Sequence, residues 1–307
     1  MTTRREWLKL VAGAAAAASL PRPVRAEASA GAAPDRPYRI SLNAYSFNRA
    51  LTAPSEGKPA AMTLFDVLDF CARLGFDGVD TTGYYFPGYP KLPPDGYVQE
   101  LKRRAFKLGL DLTGTGVRNN FAQADAAKRA ADVQHVKEWI EVAARLGAPV
   151  LRVFAGTESP GHPREEAAAW VTAALQECAA HGQQSGVLIG VQNHSDFLRT
   201  ADHVLDLVHR VDSPWFGVVV DTGHFVIGDP YEQIGRVTPH AVNFQVKESP
   251  LGPNSPVRMD LPRLVRAIRS GGYRGYLPIE TLESEGKPYD PRAVIPPFYA
   301  ALRAAAG

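Results

Sequence analysis

The sequence predicts a single (β/α)8 barrel, an α/β TIM-barrel fold in one domain. Three observations carry this. From residue 38 onward, eight short β-rich runs alternate with helical stretches. Several of the runs are apolar throughout, the mark of parallel strands covered by helices. Eight such units fill about 265 residues, the size of one closed barrel. The competing architecture is an open doubly wound sheet. It would carry a Gly-x-Gly-x-x-Gly turn after its first strand, whereas here that strand runs into Asn43-Ala44-Tyr45-Ser46-Phe47.

In order, the runs are Ile40–Tyr45, Gly78–Thr82, Leu110–Thr115, Val150–Phe154, Val187–Gln192, Gly217–Asp221, Ala241–Val246 and Gly275–Glu280. Between them the spacing predicts helices over Asp66–Leu74, Ala127–Leu146, Arg164–His181 and Thr200–Val211. In the second of these, Val133, Val136, Ile140, Ala143 and Leu146 recur at intervals of three and four on one face. Lys137–Glu141 and Glu141–Arg145 are i,i+4 pairs on the other face. Gly75, Gly109 and Gly147 stand where helices should stop. The proline- and glycine-rich stretch Phe86–Gly96 reads as a long loop over the second strand, and Ser249–Pro256 as another.

The 307 residues are 45% apolar, which excludes a disordered chain or a multispanning membrane protein. Cys71 and Cys178 are too few for a disulfide scaffold and read as small buried hydrophobes, although an oxidising compartment would allow them to pair. The amino end is unlike the rest. Arg4-Arg5 precede the apolar run Leu10–Leu20, which is too short to span a bilayer. Cleavage motifs follow at Val24-Arg25-Ala26 and Ala28-Ser29-Ala30. Residues 1–30 are therefore expected to be a twin-arginine export signal and spacer, and 38–306 the barrel, placing the mature protein in the periplasm or outside the cell. Residues 1–26 hold five cations against Glu6, so the formal net charge of +2 becomes about −2 after cleavage. That excludes a nucleic-acid partner and, once the signal is removed, a membrane partner; a homo-oligomer is compatible with the sequence.

Chemistry in such a barrel gathers at the carboxyl ends of the strands. The polar residues there are Asn43, Tyr45, Asp80, Arg118, Asn120, Arg152, Gln192, Asn193, His194, Asp221, His224, Gln245, Lys247 and Glu280. Each has an ordinary structural reading. Asp80 can cap a turn, Arg152 can neutralise a buried acid, Asn120 and Asn193 can hold turns, and His224 can be a satisfied core histidine. His135, His181, His203 and His209 fall on helices and read as surface residues. Asp221 and Glu280 are the hardest to explain away. Each closes a strongly apolar strand, where a carboxylate needs a cation, an arginine or a metal.

Six segments in order resemble the sugar phosphate isomerase/epimerase branch of the xylose-isomerase-like barrels. They are Leu74-Gly75-Phe76-Asp77-Gly78-Val79-Asp80, Ala144-Arg145-Leu146-Gly147-Ala148, Gln192-Asn193-His194, Asp221-Thr222-Gly223-His224, Val246-Lys247-Glu248, and Asp260-Leu261-Pro262 through Gly272-Tyr273-Arg274-Gly275-Tyr276 to Ile279-Glu280. The resemblance implies one divalent ion, Mn²⁺ or Mg²⁺, held at the ends of strands five to eight. The corresponding positions here are Gln192, Asp221, Gln245 and Glu280, so two of the four are amides. Such a set is all oxygen, carries charge −2, and suits hard ions.

The resemblance also implies proton abstraction beside the carbonyl of a small carbohydrate. Glu280 would be the base, with His224 and Lys247 as further catalytic groups. Asn43, Tyr45, Arg118, Arg152, Asn193 and His194 would bind substrate. Because Gln192 cannot take a proton, a keto-sugar lyase or dehydratase is the alternative reaction. A carbohydrate-binding barrel without catalysis is the alternative of another kind. An endonuclease of the same fold would need three zinc ions and many more histidines at the strand ends than His194 and His224.

Overall fold

Strands with no polar alternation, such as Val218-Val219-Val220, are stable only when covered on both faces. In the computed structural model, which describes residues 37–53, 59–194, 197–286 and 288–307, they are covered in that way. The expected export signal lies outside the described residues. Eight parallel strands follow one another around a ring: β1 (Arg39–Asn43), β2 (Gly78–Asp80), β3 (Asp111–Gly116), β4 (Val150–Phe154), β5 (Leu188–Gln192), β6 (Phe216–Asp221), β7 (Ala241–Gln245) and β8 (Tyr276–Ile279). β8 pairs with β1, with Ile40 opposite Leu277. The last gap is bridged just beyond β7, where Val246 N donates to Pro278 O (2.7 Å) and Glu280 N donates to Val246 O (3.0 Å). The result is the (β/α)8 architecture read from the sequence.

The covering helices are α1 (Leu64–Leu74), α2 (Asp95–Lys107), α3 (Ala126–Leu146), α4 (Arg164–Ser185), α5 (Ala201–Val211), α6 (Pro230–Val237), α7 (Leu261–Ser270) and α8 (Pro291–Ala306). Their starts are written in the sequence. Thr63 and Asp66 form a capping box, and the side chains of Asp125, Asp229, Asp260 and Asp290 accept from first-turn amides. Gly75, Gly147 and Gly186 end α1, α3 and α4 in the left-handed conformation. Among the described residues, no helix is long and apolar enough to cross a membrane.

The differences from expectation have local causes. β1 stops at Asn43 rather than Tyr45, because the Asn43 side chain accepts from Tyr45 N and starts a 3-10 turn over Ala44–Phe47. α4 runs to Ser185, past the expected end at His181, since only Gly186 provides the stop. α2 begins at Asp95, inside the segment read as loop. The ion pairs expected along α3 are replaced by links to its neighbours. Glu141 accepts from His181 and Ser185 of α4 (2.7 Å each), Lys137 pairs with Glu177, and Arg145 with Asp95 (3.5 Å). A packed neighbour offers a charge at a better distance than the same helix does. His135 is half-buried beside Tyr89 and Trp139, not a surface residue, and His181 and His203 are also partly covered. Cys71 and Cys178 are buried free thiols.

Gly78 shows how tightly the ring is drawn. A Cβ there would stand 2.6 Å from both Asp111 O and Thr113 Cγ2 on β3. Gly78→Ala is expected to cost roughly 1–3 kcal/mol, because a backbone oxygen cannot step aside. Urea unfolding of the variant measures this.

Candidate active site

The parallel strands all deliver their carboxyl ends to one face, so residues distant in the chain meet there. Asp221 closes β6. Its main chain is held on both sides by Asn193: Asp221 N donates to Asn193 Oδ1 (2.7 Å), and Asn193 Nδ2 donates to Asp221 O (2.9 Å). Gly223 N donates to Asp221 Oδ1 at 3.0 Å. Around the other oxygen, Oδ2, are Gln192 Nε2 (2.7 Å), His224 Nδ1 (2.9 Å) and Lys247 Nζ (3.3 Å). Lys247 itself is fixed by Thr222, whose hydroxyl accepts from Lys247 N at 2.9 Å. Its ammonium also donates to Glu280 Oε1. A buried cation thus joins the carboxylates that close β6 and β8.

The amides complete the cluster. Gln192 Nε2 also lies 2.7 Å from the Gln245 amide. That amide also approaches Glu280 Oε2 (3.0 Å), Asp221 Oδ2 (3.2 Å) and Asn43 Nδ2 (3.2 Å): with its oxygen inward it accepts from Gln192 but faces two acids, and with its nitrogen inward it donates to the acids but meets the Gln192 NH2. The electrostatics follow from these contacts. Burial opposes ionisation of Asp221, but the neighbouring His224 and Lys247 charges overcome it and hold its carboxyl well below the usual range. Burial likewise disfavours the Lys247 ammonium, and Asp221 and Glu280 more than restore it. His224 is raised in the same way by Asp221.

The opposite wall comes from β2 to β4. Arg152 is buried, its Nη1 donating to Val117 O and its Nη2 to the Tyr84 hydroxyl, both at 2.6 Å. Its guanidinium lies 4.2 Å from the Phe154 ring centre. Gly116 makes room for it, since a Cβ there would touch the guanidinium at 2.9 Å. Asp80 sits deeper. Burial, opposed by Arg152 and reinforced by Glu280, pushes it up to about 6. The folded chain therefore keeps a proton that the unfolded chain releases near 3.8. Stability should fall by roughly 3 kcal/mol as pH rises from about 4 to about 6, and Asp80→Asn should flatten that decline in thermal unfolding across the window.

A cavity of about 570 Å³ lies over these groups. Of the residues proposed from the sequence, Asn43, Tyr45, Arg118, Arg152, Gln192, His194, His224, Gln245, Lys247 and Glu280 line it. Asn193 and Asp221 do not. Asn193 was expected to contact substrate, but it is fully buried and spends its amide on the Asp221 backbone. Asp221 sits beneath the floor with no exposed surface. Tyr84 and Phe154 present ring surface to the cavity, and Arg118 stacks on Tyr84 at 4.6 Å. The rings of His194 and His224 are inclined at 30°, with centres 4.4 Å apart.

Sequence reasoning missed Ser46, Thr281 and Tyr289 as site residues. Tyr289 donates to Ser46 O (2.8 Å), and Thr281 N donates to Ser46 Oγ (3.1 Å), so the loops after β1 and β8 are tied together. Tyr289 stands nine residues beyond Glu280 in a loop with no periodic signal; Ser46 and Thr281 were reachable by extending the strand-end rule one or two residues. A second cavity of about 350 Å³ adjoins the first and shares His224, Lys247, Glu280, Leu282 and Tyr289 with it.

The donor set can be tested against the expected divalent ion. Among the described residues, no group of three or more His, Cys, Asp or Glu side chains gathers as metal ligands do. The four side chains at Gln192, Asp221, Gln245 and Glu280 do converge. However, two are neutral amides, and an ammonium already lies between the two acids. As arranged, these residues do not fit a divalent cation.

Comparison with known proteins places this geometry in context. Residues 68–297 match a family model described as a xylose isomerase-like TIM barrel. No curated protein sequence matches the chain. Among solved structures, an L-ribulose 3-epimerase is 20% identical with a TM-score of 0.71, over 87% of this chain and 95% of that one. A D-psicose 3-epimerase is 18% identical with a TM-score of 0.70, over 87% and 96%. The 3-keto-D-glucoside 4-epimerase of E. coli is 13% identical with a TM-score of 0.68, over 87% and 99%.

Proposed function

The chain belongs to the xylose isomerase-like TIM barrel family, and from that premise we propose that it is an isomerase or epimerase of sugars or keto-sugars. The observation that carries the reading is the position of Glu280. It is a carboxylate at the floor of a polar, aromatic-walled cavity, held in place by Lys247. A sugar offers hydroxyls for Asn43, Arg118 and Arg152, and apolar faces for Tyr84 and Phe154. Glu280 takes the proton from the carbon beside the carbonyl, and the electron pair of the broken C–H bond moves onto the carbonyl oxygen. For isomerisation, the neighbouring hydroxyl passes its proton to the enolate oxygen and becomes the new carbonyl while His224, in the same wall, protonates the former carbonyl carbon; epimerisation needs the proton delivered on the opposite face. The similar structures, two sugar 3-epimerases and a keto-glucoside 4-epimerase, support the substrate class. The adjoining cavity leaves room for a second group joined to the sugar. Export by a twin-arginine signal, read from Arg4-Arg5 and the following apolar run, would favour an unphosphorylated substrate.

A keto-sugar lyase is the second reading, and a specific observation favours it. Where a two-base epimerase needs a second proton acceptor, Gln192 is an amide. One base with a cation beside the carbonyl oxygen suffices for β-elimination. The test is incubation with keto-sugars and 3-keto-glycosides in D2O. Deuterium entering the carbon beside the carbonyl with the carbon skeleton retained supports the first reading, and loss of water or of the aglycone supports the second. Ligand-induced thermal stabilisation with neither outcome would leave a binding barrel and overturn both.

A further inference from the structure

We propose that the Lys247 ammonium takes the place of the divalent ion, so that this barrel carries out its proton transfer with a cation built from its own chain. The inference deepens the proposed function and rests on it for the chemistry, though not for the site. It begins with charge. Asp221 and Glu280 contribute −2 at adjacent strand ends, and Lys247 lies against an oxygen of each, at 3.3 Å from Asp221 Oδ2 and closer to Glu280 Oε1. His224 Nδ1 is 2.9 Å from the same Asp221 oxygen. With Lys247 charged, the cluster holds −1, and with His224 protonated it is neutral. A divalent ion entering here would meet half the attraction or none, and would first have to displace a buried ammonium.

Hydrogen bonding leads to the same place. Asp221 Oδ2 already faces three donor groups, and its Oδ1 accepts from Gly223 N. The amide nitrogen of Gln192 is turned toward Asp221, which is the reverse of what an amide ligand offers a metal. The substitutions are mutually consistent. Where the family resemblance implies a ligand set of higher negative charge, two positions are neutral here, and a cation of charge one replaces one of charge two.

The ammonium also suits the work. It has three N–H donors, of which two meet Asp221 and Glu280. Lys247 lines both cavities, so the third donor is available to a substrate oxygen. As Glu280 takes the proton from the carbon, the electron pair passes to the carbonyl oxygen, and the ammonium beside it, itself buried, stabilises the enolate charge. Reprotonation at carbon returns the electron pair and frees the oxygen. No redox partner or further reactant is needed.

The test starts with the protein as it exists. Wild type, dialysed against EDTA and then equilibrated with about 1 mM Mn²⁺ or Mg²⁺, should retain well under one equivalent after gel filtration and show no rise in melting temperature. Deuterium exchange into its substrate should be unchanged by EDTA. Lys247→Gln should lower exchange by about 10²-fold or more while KM moves little, and should gain a Mn²⁺-dependent rise in melting temperature. One equivalent of metal retained by wild type, activity lost to EDTA and restored by metal, or a Lys247→Gln variant that folds but gains no metal response would each overturn the proposal. If that variant does not fold, the wild-type metal count decides alone. That count needs no substrate, so failure to find any sugar substrate would defeat the proposed function and leave this result standing.

Discussion

Glu280→Gln is expected to lower deuterium exchange into a keto-sugar by about 10³-fold, with little change in KM. The substitution keeps the shape of the side chain and an oxygen that can accept from Lys247 Nζ, so the cavity floor should remain in place. What is lost is the ability to take a proton. The expected stability loss is roughly 1–3 kcal/mol, since Lys247 loses its nearer counter-charge but keeps a hydrogen bond at position 280 and Asp221 at 3.3 Å. The split between a collapsed rate and a preserved KM separates a base from an anchor: an anchoring residue would raise KM. Exchange retained at more than about a tenth of the wild-type rate would place the base elsewhere, His224 being the next candidate in the same wall.

The barrel was legible because each strand is a short apolar run and each helix carries its own punctuation. Val218-Val219-Val220 cannot lie on a solvated surface, and Gly147 and Gly186 stop helices wherever the tertiary context puts them. Most of the site was legible for a related reason. Parallel strands bring their ends together, so Gln192, Asp221, Gln245 and Glu280 had to meet if the fold was right. The role of Lys247 was not legible. Its place, two residues beyond Gln245, puts it at the rim. Nothing in the local pattern says that its four-carbon stem crosses between the ends of β6 and β8 rather than reaching into solvent. Asn193 was misread for a similar reason. An amide at a strand end looks like a sugar contact until the neighbouring strand is seen to offer it a backbone N–H and C=O.

Asp221→Asn should be the most destabilising single change in the site, at roughly 3–5 kcal/mol. At roughly 2–4 °C per kcal/mol this corresponds to a melting temperature lower by about 10 °C. The cost comes from geometry. Oδ2 is surrounded by the donors of Gln192, His224 and Lys247, while Oδ1 accepts from Gly223 N. An asparagine has one oxygen. Whichever way its amide is turned, an NH2 group must face a donor at a position with no solvent exposure, and Lys247 is left with Glu280 alone. The pH dependence gives a second check. The carboxyl of Asp221 is held below its ordinary value of 3.8, so its contribution is complete above that value and is lost as pH falls below it. The difference between wild type and variant should therefore be constant from about pH 6 down to about 5, narrow below about 4 as Asp221 is protonated, and also narrow above about 6.5 as His224, raised by Asp221, loses its proton. A difference under about 1 kcal/mol at neutral pH would mean that Asp221 is not held by the three donors around it, and the account of a floor built on Lys247 would lose its foundation.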